Sequence, residues 1–184
     1  MKKLDFAGVL AALVAAVMNR AVLLMMNPFG IAYFVSAYTH GSVKLLLIAG
    51  TAAGMATALP VKMFLKYMGI IAGVIVIEKL LKICRKKAEP WVMAVMAGIL
   101  TGLAGTAYTL GMHGFYIEST QRAVLVNALE GVMTGCLVLI FDKGVRIIYQ
   151  KEKQAAVDNE AQLSLGCIIG VAVYAICGYG LEKY

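Results

Sequence analysis

Charged side chains are scarce in this sequence: Asp, Glu, Lys and Arg together make up 15% of its 184 residues. Soluble domains carry about 25% charged and about 45–50% apolar residues, whereas the apolar fraction here is 61%. This composition excludes an ordinary water-soluble globular domain. We therefore expect an all-α fold, a polytopic bundle of six to seven transmembrane helices that forms one integral membrane domain over residues 1–184.

Motifs that carry chemistry are also missing. The four cysteines form no CxxC pair and have no histidine cluster nearby, so neither a disulfide framework nor a metal site is indicated. The sequence shows no phosphate-binding loop, serine–histidine pairing or pair of catalytic carboxylates. These absences predict that this chain has no cofactor and is not itself an enzyme.

Basic residues nevertheless outnumber acidic ones, and the net charge is +7. We interpret this excess as basic loops held at an anionic lipid surface rather than as a nucleic-acid interface. The stretch "EKLLKICRKK" is the clearest case, and Glu78, its first residue, is interpreted as a surface group that meets water or lipid headgroups. The predicted lipid-facing basic cluster consists of Lys79, Lys82, Arg85, Lys86 and Lys87.

Long apolar runs define the membrane segments, because a bilayer core of about 30 Å needs about twenty residues of helix. The runs that meet or approach this length are 6–26, 43–59, 67–81, 91–112, 123–141 and 162–180. The polar stretch 142–161 is too short to bury a core and is predicted to be a cytoplasmic linker between two spans. Tyr67 is predicted to lie in an interfacial aromatic belt.

The segment 28–38 is too short to span a membrane alone, yet it follows a marked break in the chain. Asn27 suits a helix cap, Pro28 suits a first helical turn, and Gly30 after Phe29 keeps that turn slim. If this segment crosses, twelve of the seventeen basic residues fall on one side of the membrane. The positive-inside rule then favours seven crossings of a bacterial cell membrane with the N-terminus in the cytoplasm.

Two opposite charges lie inside apolar runs at nearly the same predicted depth. Arg20, next to Asn19, is about 9 Å from one end of its run, and Glu130 is about 10 Å into its own. Asn127 shares the helix face of Glu130. We predict a structural contact between Arg20 and Glu130 assisted by Asn127, and two alternatives stay open: a substrate or proton site, and snorkelling of both groups.

The order of features resembles the N-terminal membrane region of the stage II sporulation protein E family. The resemblance rests on "RAVLL", "PFGIAYFVSAY" and "LVNALEGVMTGCLVLIF", which include Arg20, Pro28, Phe29, Gly30 and Glu130. It implies a membrane-anchoring and assembly module of a sporulation-specific serine phosphatase, with self-association and association with division proteins at the septum. The metal-dependent phosphatase of the family is expected to lie outside this chain.

A transporter subunit is the alternative. Substrate-binding components of energy-coupling-factor vitamin importers have a similar length and a small-residue stripe on the first helix, as Ala11 and Ala15 provide here. Small residues at four-residue spacing let helices approach closely in membranes. Gly98, Gly102 and Thr106 repeat that spacing, so the pattern predicts helix packing without naming a partner.

Overall fold

The computed structural model describes residues 6–23, 26–41, 43–84, 89–113, 117–150 and 159–181. Over these ranges the chain forms seven helices and, apart from one isolated bridge between Leu23 and Met26, no β-structure. The helices are α1 (Phe6–Met18), α2 (Pro28–His40), α3 (Lys44–Ala58), α4 (Val61–Ile83), α5 (Pro90–His113), α6 (Ile117–Gln150) and α7 (Asn159–Leu181). The all-α prediction is confirmed.

Three of these helices are long and apolar enough to cross a membrane: α5 over Pro90–Gly111, α6 over Thr120–Tyr149 and α7 over Asn159–Cys177. Helices α1 and α3 are apolar but have 13 and 15 residues. Helix α4 has 23 residues and carries charged residues near both ends. The structure is thus a helical bundle of membrane type, and α6 continues through residues 142–150, part of the predicted linker.

Contacts between helices fix their relative directions. Helices α2 and α6 run parallel, because Asn27 meets Glu130 near the start of α2 and His40 meets Asp142 at its end. Helix α4 follows the same direction, with Tyr67 beside Glu130 and Glu78 near the opposite end. We call the level of the bundle that holds Asn27, Tyr67 and Glu130 the Glu130 level. The opposite level, with His40, Glu78 and Asp142, is the Asp142 level.

The remaining helices run the other way. Gly54 of α3 packs on Ala16 of α1 near the Glu130 level, while Gly8 of α1 lies beside Val43 before α3, so α1 and α3 are parallel. Helix α5 is antiparallel to α6, and Ser164 early in α7 bonds to the late α6 backbone. Successive helices therefore alternate in direction from α1 to α7.

Helix α2 occupies the middle of the bundle. It packs against α1, α3, α4, α5 and α6, and ten of its 13 residues are buried. Asn27 caps its start by accepting a hydrogen bond from the Gly30 N–H at 3.2 Å, with Pro28 in the first turn. Its length of about 20 Å is shorter than a membrane core, so α2 begins within the bundle rather than at its surface.

Small residues permit the closest helix contacts. A Cβ atom added to Gly50 or Gly54 would collide with the α1 backbone at Ala12 or Ala16. Between α5 and α6, Gly98 and Gly131 face each other so closely that a Cβ on either would lie under 3 Å from the other's carbonyl oxygen. Gly98, from the small-residue stripe predicted on α5, therefore packs against α6, and Ala12 and Ala16 form the corresponding contact surface on α1.

Candidate functional site

The buried carboxylate of Glu130 is the centre of a polar network at the start of α2. Its Oε2 atom accepts a hydrogen bond from the Lys66 ammonium at 2.9 Å. Its Oε1 atom accepts bonds from the Tyr67 hydroxyl at 2.6 Å and from the Asn27 backbone N–H at 3.1 Å. Glu130 and Tyr67 are 0% exposed, so both carboxylate oxygens are satisfied entirely by protein groups.

Three side-chain amides extend this network. Asn27 Nδ2 donates to Asn19 Oδ1 at 3.1 Å and thereby joins the end of α1 to the start of α2. Asn127 Oδ1 accepts from the Lys66 ammonium at 3.3 Å, and its Nδ2 donates to the Thr109 hydroxyl at 3.3 Å. We define the Glu130 network as Asn19, Asn27, Lys66, Tyr67, Asn127 and Glu130.

The position of the network explains its composition. Glu130 lies eight residues after Arg122 in α6, about 12 Å along the helix axis, within the apolar segment. A charge at such depth is costly unless it is paired and hydrogen-bonded. Lys66 supplies the opposite charge, and the start of α2 supplies a backbone donor together with the positive end of its helix dipole.

Glycine makes room for the network at two positions. A side chain at Gly30 would collide with the Asn19 amide, and one at Gly105 of α5 would collide with the Asn127 amide. The "NPFG" break therefore has a second physical role beside helix capping. It allows the turn at the end of α1 to lie directly against the first turn of α2.

Asn127 and Glu130 both accept hydrogen bonds from the Lys66 ammonium, a cation that the sequence analysis does not select. Arg20 lies half-buried next to Asn19 at the end of α1, and its pairing with Glu130 stays a prediction. The interpretation of Tyr67 as an interfacial aromatic residue is wrong, because Tyr67 is buried and bonded to Glu130. A search for a cation on another helix at the depth of Glu130 could have found Lys66.

Two ionic groups lie near the Asp142 level. His40 Nε2 is 2.7 Å from Asp142 Oδ1, and Arg146 Nη2 is 3.0 Å from Asp142 Oδ2, so the end of α2 is tied to α6. Glu78 Oε1 is 2.6 Å from the ammonium groups of both Lys44 and Lys82. The interpretation of Glu78 as a surface group is therefore wrong, since it is 2% exposed and paired.

The predicted basic cluster is described in part. Lys79 and Lys82 are exposed, and Lys82 also binds Glu78. Arg85, Lys86 and Lys87 lie outside the described residues. Contact of this cluster with anionic lipid stays a prediction.

A further candidate for a binding site is an apolar groove between two helices. A groove of about 580 Å³ lies between α5 and α6, lined mainly by glycine and aliphatic residues such as Gly98, Gly102, Gly131 and Leu139. Glu130 and the other members of its network do not line it. Within the described ranges, no three His, Cys, Asp or Glu side chains are grouped so that they could hold a metal ion.

The alternating helices, the apolar segments of membrane length and the buried ion pair define a polytopic helical membrane protein with a polar core. Its sequence matches the profile of the family described as SpoIIE, N-terminal domain, over residues 2–182. The chain therefore belongs to this family, and the resemblance predicted from its motifs is confirmed. No curated protein and no solved structure gives a match.

Proposed function

We propose that this chain is a membrane-anchoring and assembly module that places a SpoIIE-type protein at the division septum of sporulating cells. The family match over nearly the whole chain carries the proposal. The helices of membrane length support the anchoring part. This role requires a stable bundle in the membrane and no catalysis by the chain itself.

In this proposal the chain crosses the membrane seven times, with the N-terminus in the cytoplasm. The alternating helix directions are those that seven crossings require. The Asp142 level is assigned to the cytoplasmic side because five basic residues lie at or beyond it. These residues are Lys44, Lys79, Lys82, Lys143 and Arg146. Helix α2 is short, but together with the buried turn that precedes it the helix brings the chain back to the cytoplasmic side.

The Glu130 network serves as a structural lock in this proposal rather than as a transport site. Both carboxylate oxygens accept bonds from Lys66, Tyr67 and Asn27, which leaves little capacity for a substrate. A closed polar network fixes which helices touch, because any other arrangement would leave buried polar groups unsatisfied. A transporter subunit receives no support from the family match.

The expected partners are anionic lipids, further copies of the chain and proteins of the septum. A fluorescent fusion of the full chain tests this placement in sporulating cells of the native host. Enrichment at the septum is expected, and an even distribution around the cell would contradict the proposal. Glu130→Gln should reduce both the amount of fusion in the membrane and its enrichment, whereas Glu89→Gln, at an exposed carboxylate, should leave both unchanged.

A further inference from the structure

Helix α2 has almost no surface that could face lipid. Residues 31–35 and Ala37 are 0% exposed, and Ser36 is 1% exposed. The five helices that surround α2 include α3, α4, α5 and α6, all of which follow it in the chain. The final surroundings of α2 therefore form only after the later helices have entered the membrane.

The start of α2 depends on these later helices even more directly. Its backbone donors lie at membrane depth, where an unsatisfied N–H group is costly. The Asn27 N–H finds its acceptors on Tyr67 and Glu130, which are 40 and 103 residues further along the chain. Of these two acceptors, Glu130 is the one that carries a charge to pair with Lys66.

The hairpin formed by α1 and α2 is poorly suited to membrane insertion alone. Each helix has 13 residues, about 20 Å, against a membrane core of about 30 Å. The turn between them contains Asn19, Arg20 and Asn27, and charged or amide groups at membrane depth oppose insertion. The two helices thus lack the length of an independent pair of spans, and the turn between them is polar.

We propose that Glu130 is a latch for the α1–α2 hairpin: the hairpin takes its place in the bundle only when α6 delivers this carboxylate, and it withdraws when the carboxylate is neutralised. The latch acts on the hairpin and not on the bundle as a whole. Helices α5 and α6 are held to each other by glycine contacts that do not involve the Glu130 side chain.

Cysteine labelling of the full chain tests the latch. The four native cysteines are replaced by serine, and Met26→Cys places a thiol in the turn before α2, where Met26 is 5% exposed. Permeabilised membranes are treated with a charged, water-soluble maleimide, so that either face is accessible. Labelling reports the fraction of open molecules when opening and closing are fast.

We expect the Met26→Cys thiol to be protected with Glu130 intact and to react roughly tenfold faster or more with Glu130→Gln. Glu78→Gln is the matched control, because Glu78 is another buried carboxylate paired with lysine, at the other level. It should leave Met26→Cys protected. A protected thiol in the Glu130→Gln chain would overturn the proposal.

A second thiol separates release of the hairpin from general unfolding. Ser164→Cys lies on α7 against α6, where Ser164 is 2% exposed and accepts the Gly144 N–H, and it should stay protected in the Glu130→Gln chain. Equal reactivity of both thiols would overturn the latch.

If the Glu130→Gln chain does not accumulate, Tyr67→Phe serves in its place, because it removes one donor to Glu130 without changing the charge. A smaller rise in the reactivity of Met26→Cys is then expected. No rise in that reactivity would overturn the proposal.

Discussion

At the scale of single residues, the tolerance of a carboxylate inside this bundle follows from the number and kind of its partners. Glu130 has an ammonium, a hydroxyl and a backbone N–H within hydrogen-bonding distance. Replacing a buried ion pair by apolar groups of similar shape is often neutral, whereas removal of one partner costs about 3–5 kcal/mol because the other charge is stranded. The Lys66–Glu130 pair should behave in this asymmetric way.

A double-mutant cycle measures this asymmetry. Lys66→Met and Glu130→Gln should each lower the free energy of unfolding by about 3 kcal/mol, and the double variant should lose clearly less than the sum of the two. Thermal unfolding in mild detergent provides the measurement. Additive losses would show that the two groups do not interact in the folded protein.

The same cycle with Arg20→Leu and Glu130→Gln tests the predicted Arg20–Glu130 contact. A coupling energy comparable to that of Lys66 would establish Arg20 as a second cation on the carboxylate. Strictly additive losses of stability in the double variant would exclude this contact. Depth alone led to the choice of Arg20 from the sequence. Lys66 was missed because a lysine near the start of an apolar run is ordinarily a snorkelling residue.

At the scale of helices, glycine position decides which pairs pack closely. Gly54 lies against the backbone of Ala16, so that a Cβ atom there must displace α1 or α3. Gly170 of α7 lies four residues after Gly166, as Gly54 lies four residues after Gly50, yet nothing lies within 4 Å of a Cβ built at Gly166 or Gly170. Gly54 and Gly170 therefore have the same sequence spacing, but only Gly54 is packed against another helix.

Substitution by alanine should separate them. Gly54→Ala is expected to lower the free energy of unfolding by about 1–3 kcal/mol, because overpacking shifts the backbone. Gly170→Ala should leave stability unchanged or slightly higher, since alanine is the better helix former. Unfolding temperatures of the two variants in the same detergent check this, and an unchanged stability of Gly54→Ala would contradict the assigned α1–α3 contact.

Helix existence was predictable because long apolar runs and the Asn27–Pro28 start have direct physical meanings. The short helix α2 was recognised from its capping residues, but its burial on every side was not, since its sequence is as apolar as that of a lipid-facing helix. Periodicity within one helix also cannot reveal that Tyr67 and Glu130 meet. Such contacts depend on how distant helices pack, which pattern alone leaves open.

At the scale of the whole molecule, helix direction and charge distribution agree. Three basic residues at the Asp142 level form ion pairs with carboxylates: Lys44, Lys82 and Arg146. Lys143 also belongs to this end and pairs with Glu160 across α6 and α7. Anchoring at an anionic surface is therefore expected to come from charge that remains after these pairs form, with exposed Lys79 as one source.

Seven crossings require that the N-terminus and the C-terminus lie on opposite sides of the membrane. Single cysteines in the cysteine-free chain can locate them: Lys3→Cys, Lys87→Cys and Gln154→Cys should react with an impermeant maleimide only after the cells are opened. Gly114→Cys and Lys183→Cys should react in intact cells. Should Lys3→Cys react in intact cells while Lys87→Cys does not, the α1–α2 hairpin would not return to the cytoplasmic side, and the proposed crossing by α2 would be wrong.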